Sequence, residues 1–181
     1  MLTILVGFLP LLNAEDRRTI PLDMYLIIDG SEALKNPKND AIAWINQRVI
    51  DRILIDGDRI TVWNAGNKAQ IIYSDTVSAS GKNDLREKLK ALETGGKTAD
   101  FSGALSEALP KISQTPRDRL AYTLLITASA EGMEPALAGS SQGMLRWFRS
   151  EKYERWQVLV VAPDIGPKVK QNAAACMSSL R

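Results

Sequence analysis

The chain has 181 residues, 45% of them apolar and 24% charged, with 23 Lys and Arg against 21 Asp and Glu for a formal charge of +2, the make-up of one ordinary soluble domain. It contains no His, which excludes a Ser-His-Asp or Cys-His nucleophile, a histidine general base and a His-ligated zinc or iron site. The single Cys176, set among Ala173, Ala174, Ala175 and Met177, excludes an internal disulfide and a CxxC motif and reads as a packed thiol. Lys and Arg are interleaved with acids throughout, so the basic stripe that a phosphate backbone demands is missing and nucleic acid is not an expected partner.

Residues 2–12 (LTILVGFLPLL) form a largely apolar run too short to span a bilayer, which takes about 20 apolar residues. Ala14, followed by the charged Glu15-Asp16-Arg17-Arg18, makes residues 1–14 a candidate signal peptide. No Lys or Arg precedes the apolar run, and Leu12 is bulky where a second small residue belongs. The alternative is an extra buried element of a cytoplasmic protein. Export to a bacterial periplasm or cell surface is the expectation, with no transmembrane segment.

From residue 20 onward short apolar runs alternate with amphipathic stretches, which predicts an α/β fold: a three-layer, open, mainly parallel sheet with helices on both faces. Residues 24–28 (MYLII) read as a central strand buried on both faces, ended by Asp29-Gly30. Residues 39–53 read as a helix with Ile42, Ile45 and Val49 on one stripe, capped by Asn39 or Asp40, and with Trp44 in the core. Residues 59–64 (RITVWN) and 69–73 (AQIIY) are joined too tightly for a crossover helix and predict one antiparallel edge hairpin. A helix over 84–92 follows, with Leu85, Leu89 and Leu92 at helical spacing, closed by Thr94-Gly95-Gly96. The clearest periodicity spans 100–112, where Phe101, Ala104, Leu105, Ala108, Leu109 and Ile112 predict a helix packed on the sheet, with Pro110 setting a kink or an early end. Strands are expected at 122–127 and 157–162, with helices at 141–152 and 169–180. With no repeat and no linker, residues 20–181 make one domain.

Ligands of open parallel sheets bind beyond the carboxyl ends of the strands, here the loops after Ile28, Thr127 and Ala162. In the first, Asp29-Gly30-Ser31 sets a carboxylate and a hydroxyl two residues apart, oxygen ligands suited to a hard divalent cation such as Mg²⁺. A strand ending in Asp-x-Ser, a helix, a hairpin, a Gly-Gly-x-Thr loop opening an amphipathic helix, and a strand ending in Ile-Thr together resemble the von Willebrand factor A domain over roughly residues 20–180. The family's metal-ion-dependent adhesion site has the pattern Asp-x-Ser-x-Ser, a Thr in a Gly-rich second loop and an Asp in a Thr-Asp-Gly third loop. The resemblance assigns Asp29, Ser31 and Thr98 as metal ligands. Ala33 stands where the second Ser is expected and Ala128 where the Asp is expected, which makes the site degenerate. Glu32, Asp100, Glu131 and Asp164 fall in loops predicted on the same rim and are the candidate auxiliary carboxylates. Two readings stay open: a weakened divalent site, or a fold that keeps these residues to satisfy loop backbone groups with no metal.

The resemblance implies a non-enzymatic module that binds a protein partner, since in the family a partner's carboxylate completes the metal's coordination. The alternatives are a structural subunit of a larger assembly and a metal-assisted hydrolase built on Asp29 and another rim acid. Gly96-Lys97-Thr98 looks like the end of a P-loop, but the first glycine of GxxxxGK[ST] is replaced by Ala91 and the preceding segment has helical spacing, so no nucleotide is expected. Ser140-Ser141 and Ser178-Ser179 have no base at a recognisable spacing and read as caps or surface, while Trp147, Phe148, Tyr153 and Trp156 read as core residues or a partner's anchor.

Overall fold

The computed structural model describes residues 18–128 and 156–161. A central strand β1 (Leu22–Asp29) is buried along its whole length. It pairs in parallel with β2 (Arg59–Ala65) on one side and β4 (Leu120–Ile126) on the other. An antiparallel strand β3 (Ala69–Thr76) closes one edge, and a parallel strand β5 (Trp156–Val161) lies beyond β4, giving the order β3-β2-β1-β4-β5. The mainly parallel sheet and its one antiparallel pair are those the sequence predicts.

Alternation along β1 divides the core. Leu22, Met24, Leu26 and Ile28 face one layer, and Tyr25 and Ile27 the other, as the two-residue period of a strand requires. The first layer receives α1 (Lys38–Trp44), which continues as a π-helical turn, Ile45–Ile50, and α2 (Ala79–Lys90). The widened turn brings Ile45, Val49 and Ile50 all onto the sheet, and Trp44 packs half-buried against the same cluster. The opposite layer is α3 (Phe101–Ser113), whose Phe101, Ala104, Leu105, Ala108, Leu109 and Ile112 are all buried. Each fully buried large aliphatic or aromatic side chain contributes about 1.5–3 kcal/mol, so this stripe fixes the helix on the sheet.

Four expectations need correction. Asn39 and Asp40 do not cap α1: Pro37 occupies that position with no side-chain bond, and both residues lie inside the helix. The entry is instead tied by Lys38 Nζ, which donates to Leu92 O at 2.5 Å. Helix α2 starts five residues earlier than predicted, because Ser78 accepts from Gly81 N and nucleates a turn through helix-poor residues. Pro110 does not end α3 early: the helix runs on to Ser113, with Pro110 on its exposed side in the last turns. Strands β1, β4 and β5 also begin one or two residues before their apolar runs. The predicted helices at 141–152 and 169–180, with Trp147, Phe148 and Tyr153 and the leader over 1–14, lie outside the described residues. Trp156 is buried, its indole donating to Thr123 Oγ1 at 2.8 Å.

The two ends of the parallel strands differ in chemistry. At the amino ends, buried Arg119 donates through Nε to Asp23 at 2.6 Å, and Arg18 forms a bidentate pair with the fully buried Asp58 at 2.9 and 2.6 Å. Asp58 also accepts from Leu22 N and Ile55 N, so one carboxylate joins the start of β1 to the turn before β2. The carboxyl ends carry the candidate ligands.

Candidate functional site on the carboxyl rim

Asp29, the last residue of β1, is completely buried. Its Oδ1 accepts from Ser31 N at 2.8 Å, and its Oδ2 accepts from the Thr127 hydroxyl at 2.9 Å and from Ala128 N at 3.4 Å. One carboxylate thus holds the loops after β1 and β4 together. The Gly-rich loop is stitched to the same point: Gly95 N and Gly96 N donate to Gly30 O at 3.0 and 3.1 Å, Glu32 N donates to Gly96 O at 2.9 Å, and Ser31 and Gly96 form a parallel bridge. Two glycines permit these approaches. A Cβ on Gly30 would lie 2.0 Å from Asn64 Oδ1 and 2.8 Å from Gly66 N, and one on Gly96 would lie 2.9 Å from Asn67 N.

The structure therefore brings the loops of Asp29, Ser31 and Thr98 to one rim. Ser31 is 5% exposed, and its Oγ is enclosed with no hydrogen-bond partner among the described residues. An orphaned buried hydroxyl is costly. The Thr98 side chain is exposed, and no hydrogen bond engages its hydroxyl among the described residues. Ala33 is exposed and Ala128 contributes only its backbone N–H, so neither departure from the adhesion-site pattern is repaired in place.

The auxiliary acids divide. Glu32 is exposed at the head of a short 3₁₀ turn, Glu32–Leu34. Asp100 is an anchor: Oδ1 accepts from Gly103 N at 2.8 Å to cap α3, and Oδ2 accepts from Ala69 N at 3.1 Å to fasten the start of β3. Both oxygens hold backbone, which accounts for the residue without a metal. Glu131 and Asp164 lie outside the described residues. Among the described residues no group of three or more acids or Cys is placed to hold a metal.

The donor set of Asp29, Ser31 and Thr98 still fits a hard divalent ion that keeps several waters, because Mg²⁺ typically takes only one or two protein carboxylates. The unpartnered Ser31 Oγ is the atom such an ion would satisfy. A single carboxylate opposite a doubly charged ion makes the fit a weak one.

Two asparagines of the rim escape a search confined to the loops after β1, β4 and β5. Asn64 Nδ2 donates to Glu93 O at 3.0 Å while its Oδ1 is buried without a partner, and Asn67 Oδ1 accepts from Lys97 N at 2.8 Å. The parallel pairing of β2 with β1 was the signal, since it puts the carboxyl end of β2 on the same rim.

No family model matches the chain. An uncharacterized protein of Treponema pallidum (strain Nichols) is 21% identical over 174 residues, covering 90% of this chain and 78% of that protein. Among solved structures, a von Willebrand factor type A protein from Catenulispora acidiphila aligns with a TM-score of 0.53 at 15% identity, over 89% of this chain and 43% of that one. The ArnB paralog VWA2 from Sulfolobus acidocaldarius aligns at 0.54 and 15% identity, over 88% and 40%. The manganese-loaded TRAP protein of Plasmodium vivax aligns at 0.56 and 17% identity, over 86% and 63%. The chain thus spans less than two thirds of each of these structures. Its fold is that of the von Willebrand factor A domain.

Proposed function

We propose that the chain is a non-enzymatic protein-interaction module whose contact surface is the rim around Asp29, Ser31 and Thr98, where a divalent cation, Mg²⁺ in the first instance, binds weakly. The observation that carries this reading is the enclosed, unpartnered Ser31 Oγ, in a loop stitched to the one that presents Thr98 to solvent. Asp29 orders both neighbouring loops through its hydrogen bonds and supplies the negative charge; Ser31 and Thr98 supply neutral oxygens. When bound, the cation offers a coordination position to an acidic group of a protein partner. The manganese held by the structurally similar TRAP protein supports a divalent ion in this fold. The apolar leader over residues 2–12, followed by Ala14, supports a place of action outside the cytoplasm, in a bacterial periplasm or at a cell surface. Among the described residues no helix is long and apolar enough to cross a membrane.

A second reading, a structural subunit of an assembly, is favoured by Ile71, which is 45% exposed on the edge strand β3, where unpaired backbone can extend a sheet.

The test is the melting temperature of the full chain with Mg²⁺, Mn²⁺ and Ca²⁺, beside Ser31→Ala and Thr98→Ala. Ion at ten times its Kd adds about 1.4 kcal/mol, a rise of a few degrees for a domain of this size. Loss of the rise in both variants supports the site; no rise with any ion, or a rise the variants keep, overturns it.

A further inference from the structure

A cavity of about 370 Å³ lies at the amino ends of β1 and β2, on the α3 side of the sheet and at the opposite end of the strands from the rim. Small-molecule sites typically measure about 300–1,000 Å³, so it has room for one small ligand. Strand alternation decides which side chains enter it. Asp23 and Arg59 are paired across β1 and β2 on the face of Tyr25 and Trp63, which pack toward α3. Thr61 and Ser74 are paired on that same face, their hydroxyl oxygens 3.1 Å apart. Lys111 and Gln114, at the carboxyl end of α3, close the cavity. Asp75 also borders it, but alternation turns that side chain to the other face, with Tyr73 and opposite Ile60, both of which pack in the α1 layer.

Charge on this wall is unbalanced. The carboxylate that alternation directs into the cavity is Asp23, and Arg119 Nε already holds its Oδ1 at 2.6 Å. Arg59 meets Asp23 Oδ2 only at 3.9 Å, with its side chain 57% exposed. Lys111 is exposed and has no ion-pair partner among the described residues. Arg59, Lys111 and the Arg119 behind Asp23 thus set three cations against one carboxylate. The carboxyl end of α3 adds a partial negative charge of about one half, which leaves a positive surplus.

We propose that this cavity binds a small organic carboxylate that also carries hydroxyl groups, a hydroxy acid or sugar acid. Arg59 and Lys111 take the carboxylate, which the planar fork of a guanidinium matches with two parallel hydrogen bonds. The Thr61 and Ser74 hydroxyls, each able to donate and accept, and the Gln114 amide take the ligand's hydroxyls. Phosphate fits less well, because the cavity meets the carboxyl end of α3 rather than the amino end whose free N–H groups cradle phosphate. The site stands apart from the rim and does not rest on a cation there.

The test is titration of the uniformly ¹⁵N-labelled full chain with glucuronate, and with malate as a smaller probe, in EDTA so that no rim cation contributes. The amides of Thr61, Ser74 and Gln114 are expected to shift along a saturable curve with at least one of the two acids. Arg59→Gln and Lys111→Gln, both at exposed positions, are each expected to raise Kd about tenfold. Lys88→Gln, exposed on α2 in the opposite layer, is expected to leave it unchanged. Glucose and inorganic phosphate are expected to bind about ten times more weakly than the better acid. Any of four results overturns the proposal: no saturable shift at these amides with either acid, a Kd that both cavity variants leave unchanged, an equal loss in Lys88→Gln, or glucose or phosphate binding as tightly as the acid.

Discussion

Thr127 donates its hydroxyl to Asp29 Oδ2 at 2.9 Å across 98 residues of sequence, joining the carboxyl ends of two adjacent parallel strands. The residue that the adhesion-site resemblance marks as a metal ligand is thus also a structural clamp. Thr127→Val is expected to cost about 1.5–3 kcal/mol, the range for a hydrogen bond to a charged group, in urea denaturation of the full chain. Unchanged stability would mean that Ser31 N and Ala128 N alone hold the carboxylate.

The other end of the sheet is fastened by Arg18 and Asp58. Arg18→Ala leaves the fully buried Asp58 carboxylate with backbone donors only and is expected to cost about 3 kcal/mol. Arg18→Lys restores little, because an ammonium cannot reproduce the two-pronged contact. Equal stability of the Lys variant and the parent would reduce the pair to a simple attraction of charges.

Glycines of the rim loops differ in their tolerance. Gly30→Ala places a Cβ against Asn64 Oδ1 and the backbone of Gly66, whereas a Cβ on Gly95 meets nothing within 4 Å. Gly30→Ala is expected to destabilise by about 1–3 kcal/mol, as overpacking does, and Gly95→Ala by no more than about 0.5 kcal/mol. Thermal melts of the two variants side by side check the contrast.

Burial raises the pKa of Tyr25 above its ordinary value near 10. A folded state that keeps its proton to higher pH is stabilised fully below pH 10, and that contribution is lost as pH rises through the folded pKa. Unfolding free energy is expected to fall as the pH rises above about 10, with a shallower fall in Tyr25→Phe. Parallel curves for parent and variant would place the pH dependence on other groups.

How much of this was legible in the sequence depended on whether a residue's role is local. The stripe of α3 and the apolar run of β4 declare themselves, because burial on one face or on both leaves a period or a block. The hairpin followed from the shortness of residues 65–68 alone. The Asp100 carboxylate did not declare its role: a loop acid that caps a helix and a loop acid that binds metal look the same until Gly103 N and Ala69 N are placed against it. Asn64 and Asn67 were hidden for a related reason, since their partners Glu93 and Lys97 lie about 30 residues away. The π turn after Trp44 and the Ser78 cap of α2 arise where tertiary packing and one side-chain bond override weak helix propensity.

The most direct test of the rim as a divalent site is Mn²⁺ titration of the uniformly ¹⁵N-labelled full chain, following paramagnetic broadening of backbone amides. The account predicts that the amides of Ser31, Glu32 and Gly96 broaden first, and that Thr98→Ala raises the Mn²⁺ concentration needed. Broadening that begins at exposed acids away from this rim, with Ser31 and Gly96 unaffected, would contradict it.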